Sequence, residues 1–194
     1  MTLSGPHEKR IKRHVIGPVH TFFAATSPHL ASLCFEEIKN LNVPLEHIKV
    51  LRGGVEFKGR LKDCYAANLL LRIPNRILMR IAEFKATNFR QLDKKLSNFS
   101  WELFINPLVT RACTIKTRQS RLYHKAAIGE SVEKCIALRL NDMPADPSQS
   151  LQEPDVQHVF VRAVEDRFTV SLDTSGKLLF KSCLLYTSPS PRDS

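Results

Sequence analysis

Between positions 19 and 86, segments whose apolar residues have the spacing of a β-strand alternate with segments whose apolar residues have the spacing of an α-helix. Short apolar or alternating runs are typical of β-strands, and the Gly53-Gly54 pair between two of them favours a hairpin turn because glycine accepts positive φ. The sequence therefore predicts four strands, at 19–25, 48–52, 55–58 and 77–84.

Two amphipathic helices are predicted between these strands. Ser27-Pro28 supplies an N-cap and a proline suited to the first helical position, and that helix runs to about Asn42, while Pro74 ends the second helix. The resulting order, β-α-β-β-α-β, is that of a ferredoxin-like domain, a fold that by itself does not indicate a function. The apolar faces are predicted to be formed by Leu30, Leu33, Ile38 and Leu41 in the first helix and by Leu61, Tyr65, Leu69 and Leu70 in the second.

The second half of the chain has a different order of elements. Spacings of three and four predict an amphipathic helix from Phe89 to Leu103, and Trp101 near its end is predicted to lie in the core. The remaining predicted elements are a strand at 112–116, a helix over 128–140, a polar loop at 144–154, a hairpin that turns at Glu165-Asp166, and a turn at 174–176.

The composition is ordinary except for its charge. The 194 residues are 43% hydrophobic and 25% charged, but 29 Lys and Arg against 19 Asp and Glu leave a net charge of +10. A surplus of this size favours a polyanionic partner, most often nucleic acid. No apolar run approaches the roughly 20 residues of a membrane span, and no signal peptide is recognised, so we expect a cytoplasmic protein without a membrane partner.

Residues 1–17 form a separate basic segment. It contains Lys9, Arg10, Lys12 and Arg13, and charge runs of this kind are typical of solvated tails. The sequence favours a basic disordered arm here over a dedicated RNA-binding arm.

The five cysteines do not form a metal-binding pattern. No C-x-x-C pair and no paired histidine spacing accompanies them, so no zinc site is predicted. Cys34, Cys64 and Cys135 fall within apolar helical patterns and are predicted to be small core residues.

A cluster of cations and rings stands between positions 111 and 125, uninterrupted by any acid and leading into a predicted helix N-terminus. The free N–H groups and dipole of a helix N-terminus favour anions, and flat rings suit an exposed base, so the cluster fits an RNA backbone and an unpaired nucleotide. A solvated basic loop is the equally supported alternative, and Tyr123 by itself favours a place in the core. The candidate RNA-binding residues are Arg111, Lys116, Arg118, Arg121, Tyr123, His124 and Lys125.

The chain contains no motif of an active site. P-loop, G-x-G-x-x-G and G-x-S-x-G patterns are missing, and no His and carboxylate pair suggests a hydrolase. We therefore predict no catalytic, cofactor-binding or metal-binding residue in these 194 residues.

Four segments, in order, resemble the N-terminal part of the THUMP-domain RNA methyltransferases. They are FFAATSPHLASLCFEEIKNLN, RGGVEFKGRLKDCYAANLLLRIPNRILMRIAEFKATNF, SRLYHKAAIGESVEKCIALRL and VSLDTSGKLL, within residues 19–181. The nearest members are the bacterial enzymes that methylate N2 of a guanine in large-subunit ribosomal RNA, many of which carry the label N6-adenine-specific DNA methylase.

The resemblance implies an α+β chain of two domains, followed in the family by a third. A ferredoxin-like domain at 18–88 and an RNA-capturing THUMP α/β domain at 89–182 are expected in this sequence. The family's third domain, a Rossmann-like catalytic domain that uses S-adenosylmethionine, has an Asp-Pro…Gly-Ser-Gly loop and an Asn-Pro-Pro-Tyr motif, and neither occurs in this sequence. No catalytic residue is carried over, and the chain alone is expected to be inactive and to hold no cofactor.

The last twelve residues, CLLYTSPSPRDS at 183–194, match a translated sequencing-library adapter. CLLYTS is encoded by TGT CTC TTA TAC ACA TCT, the end of a transposase adapter, and PSPRD by the bases that follow it. We interpret this stretch as adapter read-through, which removes Cys183 from the natural cysteines.

These observations predict an RNA-binding fragment of a methyltransferase whose parent acts on structured, ribosomal RNA. Two alternatives stay open at this point. One is a stand-alone THUMP adaptor that delivers tRNA to a separate enzyme, and the other is a protein of this fold whose positive charge serves only solubility.

Overall fold

Strands and helices alternate along the described part of the chain, residues 6–141 and 156–176 of a computed structural model, much as the hydrophobic pattern predicts. The architecture is mixed α+β. The strands are β1 His20–Ala25, β2 Glu46–Leu51, β3 Gly54–Gly59, β4 Arg76–Lys85, β5 Thr110–Arg118, β6 Val156–Val164 and β7 Arg167–Asp173. The helices are α1 Pro6–Ile11, α2 Ala31–Lys39, α3 Leu61–Leu70, α4 Phe89–Ser97 and α5 Lys125–Asn141, with a π-helical turn at Lys12–Ile16 and a 3-10 turn at Trp101–Leu103.

The chain divides into two compact units, and both are discontinuous in sequence. Of the described residues, one unit joins 19–79 to 174–176, and the other joins 6–18 to 80–141 and 156–173. Strand β4 contributes its first four residues to one unit and its last six to the other, and the domain boundaries at 18–88 and 89–182 stay a prediction.

The ferredoxin-like unit confirms the predicted order of elements. Its strands lie in the order β2-β3-β1-β4, and β1 pairs antiparallel with β3 so that the rings of Phe22 and Phe57 stack 5.6 Å apart. The predicted hairpin is also confirmed. Gly53 and Gly54 have φ of 85° and 159°, and a Cβ on Gly54 would lie 2.1 Å from the carbonyl oxygen of Ala24, so only glycine fits there.

Helix α2 begins later than predicted. His29 adopts φ of 71°, which interrupts the backbone between Ser27-Pro28 and the helix, and α2 starts at Ala31 with Leu30 at its N-cap. The predicted serine cap was therefore wrong, because a residue in the left-handed region cannot continue a right-handed helix.

The buried face predicted for α3 was wrong. Tyr65 and Leu69 are 57% and 85% exposed, whereas Cys64 and Ala67 are fully buried. The predicted face and the observed face of α3 both have helical spacing, and the face that the structure buries carries the smaller side chains. Leu71, just after the helix, is also buried.

The turn after β7 is fixed to the ferredoxin-like unit by side-chain hydrogen bonds. The Thr174 hydroxyl and N–H both donate to the Ile77 carbonyl oxygen, at 2.8 and 3.0 Å. Ser175 Oγ accepts from the Ile77 N–H at 2.8 Å and donates to Asn68 Oδ1 at 2.7 Å. The predicted turn at 174–176 thus contacts both β4 and α3.

In the second unit the strands lie in the order β4-β7-β6-β5, with β5 and β6 parallel and β6 and β7 antiparallel. Helices α4 and α5 pack against each other and, with the inward residues of the strands, enclose one hydrophobic core. Trp101 lies in that core as predicted and donates from Nε1 to the Leu96 carbonyl oxygen at 2.8 Å. The fully buried members of this core include Leu92, Ile128, Val132, Ile136, Val159, Phe168 and Val170.

The basic N-terminal segment is helical from Pro6, and the prediction of a disordered arm was wrong for residues 6–16. Arg10 Nη2 donates to Glu102 Oε1 at 3.1 Å, and the side chain of Val15 is buried. The local sequence pattern could not predict the contact between Arg10 and Glu102, because the two residues lie 92 positions apart in sequence.

Candidate nucleic-acid interface

Most of the predicted cationic cluster lies at one end of the second unit. The segment 119–124 links the last residue of β5 to the first residue of α5, and the Glu165-Asp166 turn of the β6–β7 hairpin lies beside it. The Glu165 N–H donates to the Arg118 carbonyl oxygen at 3.2 Å, which joins the two loops. The predicted hairpin turn is confirmed, with φ of 50° and 63° at Glu165 and Asp166.

Asp166 organises the loop that carries Arg121. Its Oδ1 accepts from the Arg121 N–H at 2.7 Å and from Ser120 Oγ at 3.2 Å, and its Oδ2 lies 3.6 Å from Arg121 Nε. The backbone hydrogen bond from Arg121 is the main cause that lowers the pKa of the Asp166 carboxyl, and it outweighs desolvation, which raises it. The guanidinium stays largely in solvent, since the Arg121 side chain is 75% exposed.

Tyr123 and His124 present their rings to solvent. Tyr123 is 63% exposed and its ring centroid lies 4.2 Å from that of His124, at an interplanar angle of 35°. The expectation that Tyr123 by itself favours a place in the core was therefore wrong. Leu122 is the residue of this loop that enters the core, and burying it leaves the next side chain outside.

Lys125 is exposed and begins α5, whose first turn is closed by the Ile128 N–H donating to the His124 carbonyl oxygen at 3.1 Å. The positive end of the helix dipole thus lies next to a cation and two rings. This arrangement suits a phosphate group with an adjoining base.

Strand alternation separates Arg111 from the other predicted residues. Lys116 and Arg118 are exposed on one face of β5. Arg111 points to the opposite face, where its Nε lies 3.9 Å from Glu133 Oε2 of α5. Six of the seven predicted residues are therefore exposed at or near one end of the unit, and Arg111 is half-buried and paired.

Arg162 belongs to the same surface and was missed. The parallel register of β5 and β6 places it directly opposite Lys116, and it is exposed. Its position could have been found in the sequence, because it is a polar residue between the buried Val161 and Ala163 and therefore lies on the outward face.

Replacing Asp166 by alanine is expected to loosen the loop without unfolding the unit. The variant loses the acceptor for the Arg121 N–H and Ser120, and the segment 119–124 gains freedom, so trypsin should cleave after Arg121 faster than in the wild type. Mass spectrometry of a timed digest measures this rate. Asp166→Asn retains one acceptor oxygen and is expected to give an intermediate rate, while equal rates in all three proteins would contradict the role of Asp166.

Other chemistry is sparse in the described residues. Within residues 6–141 and 156–176, no group of three His, Cys, Asp or Glu side chains is arranged to hold a metal ion, and no helix is long and apolar enough to cross a membrane. Cys34, Cys64 and Cys135 are buried, as predicted, and burial raises the pKa of Cys34 to about 12 and that of Cys64 to about 11.

Comparison with known proteins identifies relatives of both units. Residues 21–78 match the model of the RlmL ferredoxin-like domain. The chain is 32% identical over 161 residues to the ribosomal RNA large subunit methyltransferase K/L of Methylococcus capsulatus, a match that covers 82% of this chain and 21% of that protein. The chain thus spans about a fifth of the length of the K/L methyltransferases that it matches.

Solved structures share the same fold. A predicted N6-adenine-specific DNA methylase from Listeria monocytogenes superposes with a TM-score of 0.73 at 25% identity, covering 89% of this chain and 45% of that one. The proposed methyltransferase SMU.472, solved in complex with SAH, gives the same TM-score at 24% identity and covers 91% and 46%. The likeness covers most of this chain and less than half of each of these two neighbours.

Proposed function

Since the chain carries an RlmL ferredoxin-like domain and is related over most of its length to ribosomal RNA large subunit methyltransferases, we propose that it is the RNA-binding part of an RNA methyltransferase. The second unit acts as a THUMP domain that holds structured RNA. The parent transfers a methyl group from S-adenosylmethionine to guanine N2 in ribosomal RNA, and the catalytic residues lie outside this chain. Because the proposed target is ribosomal RNA, we place the protein in the cytoplasm.

One observation carries the proposal: the exposed cations and rings that the fold collects at the start of α5. Arg118 ends β5, Arg121 lies in the loop and Lys125 begins α5, so these exposed cations flank the Tyr123-His124 pair along the chain, and within the described residues Asp166 is the carboxylate that pairs with this group. Phosphates are neutralised by such cations, and exposed rings add stacking to a base. SAH bound to a structural neighbour of the same fold supports S-adenosylmethionine as the parent's methyl donor.

Reversing the charge of the loop is the experiment that tests RNA binding. The variant R118E/R121E/K125E is expected to bind a labelled RNA hairpin with a single-stranded 3′ extension about 10- to 100-fold more weakly. Its plot of log affinity against log salt should be flatter by about 2, because each lost phosphate contact removes about 0.7 to 0.9 from the slope. Fluorescence anisotropy at several salt concentrations measures both quantities.

Helix α4 supplies a matched control. R90E/K94E/K95E changes the net charge by the same amount, and these three side chains are exposed on a helix outside the loop. We expect a smaller effect with a nearly unchanged slope. Equal losses in the two triple variants would mean that net charge alone attracts RNA, and an unchanged slope in the loop variant would overturn this placement of the site.

The proposed parent is tested at the level of the gene. Amplifying the gene from its source and sequencing past codon 182 is expected to show the reading frame continuing into a cofactor loop and an Asn-Pro-Pro-Tyr motif. A stop codon there would replace this proposal with the stand-alone adaptor, and a natural sequence matching residues 183–194 would overturn their interpretation as adapter read-through.

A further inference from the structure

Two cations face each other across neighbouring strands of the second unit. Lys116 of β5 and Arg162 of β6 are register partners, and both side chains are exposed on the face of the strands away from α5. The core-facing side of the same strands is occupied by Val161 and its neighbours, so alternation places the pair on the other side.

This pairing costs stability unless an anion lies between the partners. Like charges directly opposite on adjacent strands repel, whereas an opposite charge would add stability. In the described part of the chain two nearby acids have other partners: Asp166 pairs with Arg121, and Glu83 Oε1 lies 3.3 Å from Arg167 Nη1. The exposed Glu165 of the β6–β7 turn forms no ion pair with Lys116 or Arg162 among the described residues. None of these three acids neutralises the Lys116–Arg162 pair.

We propose that Lys116 and Arg162 bind a phosphate of the RNA backbone, so that the RNA passes from the α5 loop onto the open face of β5 and β6. This inference rests on the proposed RNA-binding function and extends its site by Arg162. Arg118 lies two residues beyond Lys116 on the same face, about 7 Å along the strand, and joins the pair to the loop. The preceding row, Thr114 opposite Phe160, is uncharged, so the cations occupy only the strand ends nearest the loop.

The test uses neutral replacements and two readouts. K116Q/R162Q is expected to weaken binding of the same labelled RNA hairpin about 5- to 20-fold and to lower the salt slope by about 0.7, which corresponds to one phosphate contact on a single strand. Its melting temperature should equal or exceed that of the wild type, because the substitution removes a repulsion. K94Q/K95Q on α4, which removes the same charge outside this face, should leave both the affinity and the slope nearly unchanged.

The outcomes separate this inference from the proposed function. If R118E/R121E/K125E loses binding and K116Q/R162Q does not, the sheet contact is overturned and the loop site stands. If the double variant loses affinity together with melting temperature, the pair has a structural role and the inference fails. If the wild-type protein shows no salt-dependent RNA binding, the proposed function and this extension fail together.

Discussion

Replacing Trp101 by alanine is expected to lower the free energy of unfolding by about 3–5 kcal/mol, because Trp101 is the largest fully buried side chain among the described residues. The indole contacts the ring of Phe99 edge-on at 4.9 Å and donates from Nε1 to the Leu96 carbonyl oxygen at 2.8 Å. Alanine removes this packing and leaves a cavity that the 3-10 turn and the end of α4 cannot fill without moving. It also leaves the Leu96 carbonyl without this donor.

Urea unfolding followed by far-ultraviolet circular dichroism measures this loss, since Trp101 is the chain's single tryptophan and its fluorescence disappears with it. Trp101→Phe is the matched control. Phenylalanine keeps a ring in the core but lacks part of the indole volume and the whole Nε1 hydrogen bond. We therefore expect it to lower the free energy of unfolding by about 1–3 kcal/mol. A loss below about 1 kcal/mol in the alanine variant would show that Trp101 is not a central member of the core.

Replacing Glu102 by alanine is expected to release the N-terminal helix and to cost about 2 kcal/mol. The carboxylate is only 5% exposed and accepts from two arginines, Arg10 at 3.1 Å and Arg139 at 2.9 and 3.3 Å. Hydrogen bonds to charged groups contribute more than neutral ones, but both arginines are about half exposed, and solvent screening reduces the gain. Trypsin should cleave the variant faster at Lys9, Lys12 and Arg13.

The same carboxylate predicts a pH dependence. Desolvation opposes ionisation and raises the pKa of Glu102, but the hydrogen bonds and charge of Arg139, together with Arg10, outweigh it and lower the pKa below the ordinary 4.5. A lowered pKa means that the folded protein binds this proton less readily than the unfolded chain. The stabilisation by Glu102 is therefore complete above about pH 4.5 and is lost as the pH falls through the lowered value.

Glu102→Gln should be less stable than the wild type at neutral pH, and the difference should shrink as the pH falls below about 4.5. The Glu83→Gln variant is the control, because Glu83 is half exposed and pairs with a single exposed arginine, so it should change stability by only a few tenths of a kcal/mol. A difference between Glu102→Gln and wild type that stays constant across this pH range would contradict the ion-pair network.

Structural features that depend on residues close together in sequence were predicted better than features that depend on residues far apart in sequence. The order of strands and helices along residues 19–86, the Gly53-Gly54 hairpin and the Glu165-Asp166 turn follow from alternation and turn chemistry within a few residues, and the structure confirms them. The buried face of α3 was misjudged because large apolar residues outweigh Cys64 and Ala67 in any hydrophobic pattern, although small residues suit a helix that packs closely.

Non-local features escaped prediction for a different reason. The docking of α1 depends on Glu102, the exposure of Arg162 beside Lys116 depends on the pairing of β5 with β6, and the separation of Arg111 depends on Glu133 of α5. Each relation joins residues far apart in sequence, so no local period records it. The sequence predicted the candidate site as one continuous segment. In the structure Arg111 does not lie on that surface, whereas Arg162 does.

The discontinuity of the two units sets an order for their assembly on the ribosome. The N-terminal helix emerges first but lacks its Glu102 anchor until some ninety further residues have been made, and the ferredoxin-like unit lacks the Thr174 and Ser175 bonds to Ile77 until β7 is complete. Neither unit is complete before nearly all of the described chain has been synthesised. A nascent chain halted between Lys85 and Thr110 would expose the core face of β4, and holdase chaperones are suited to protect such a surface.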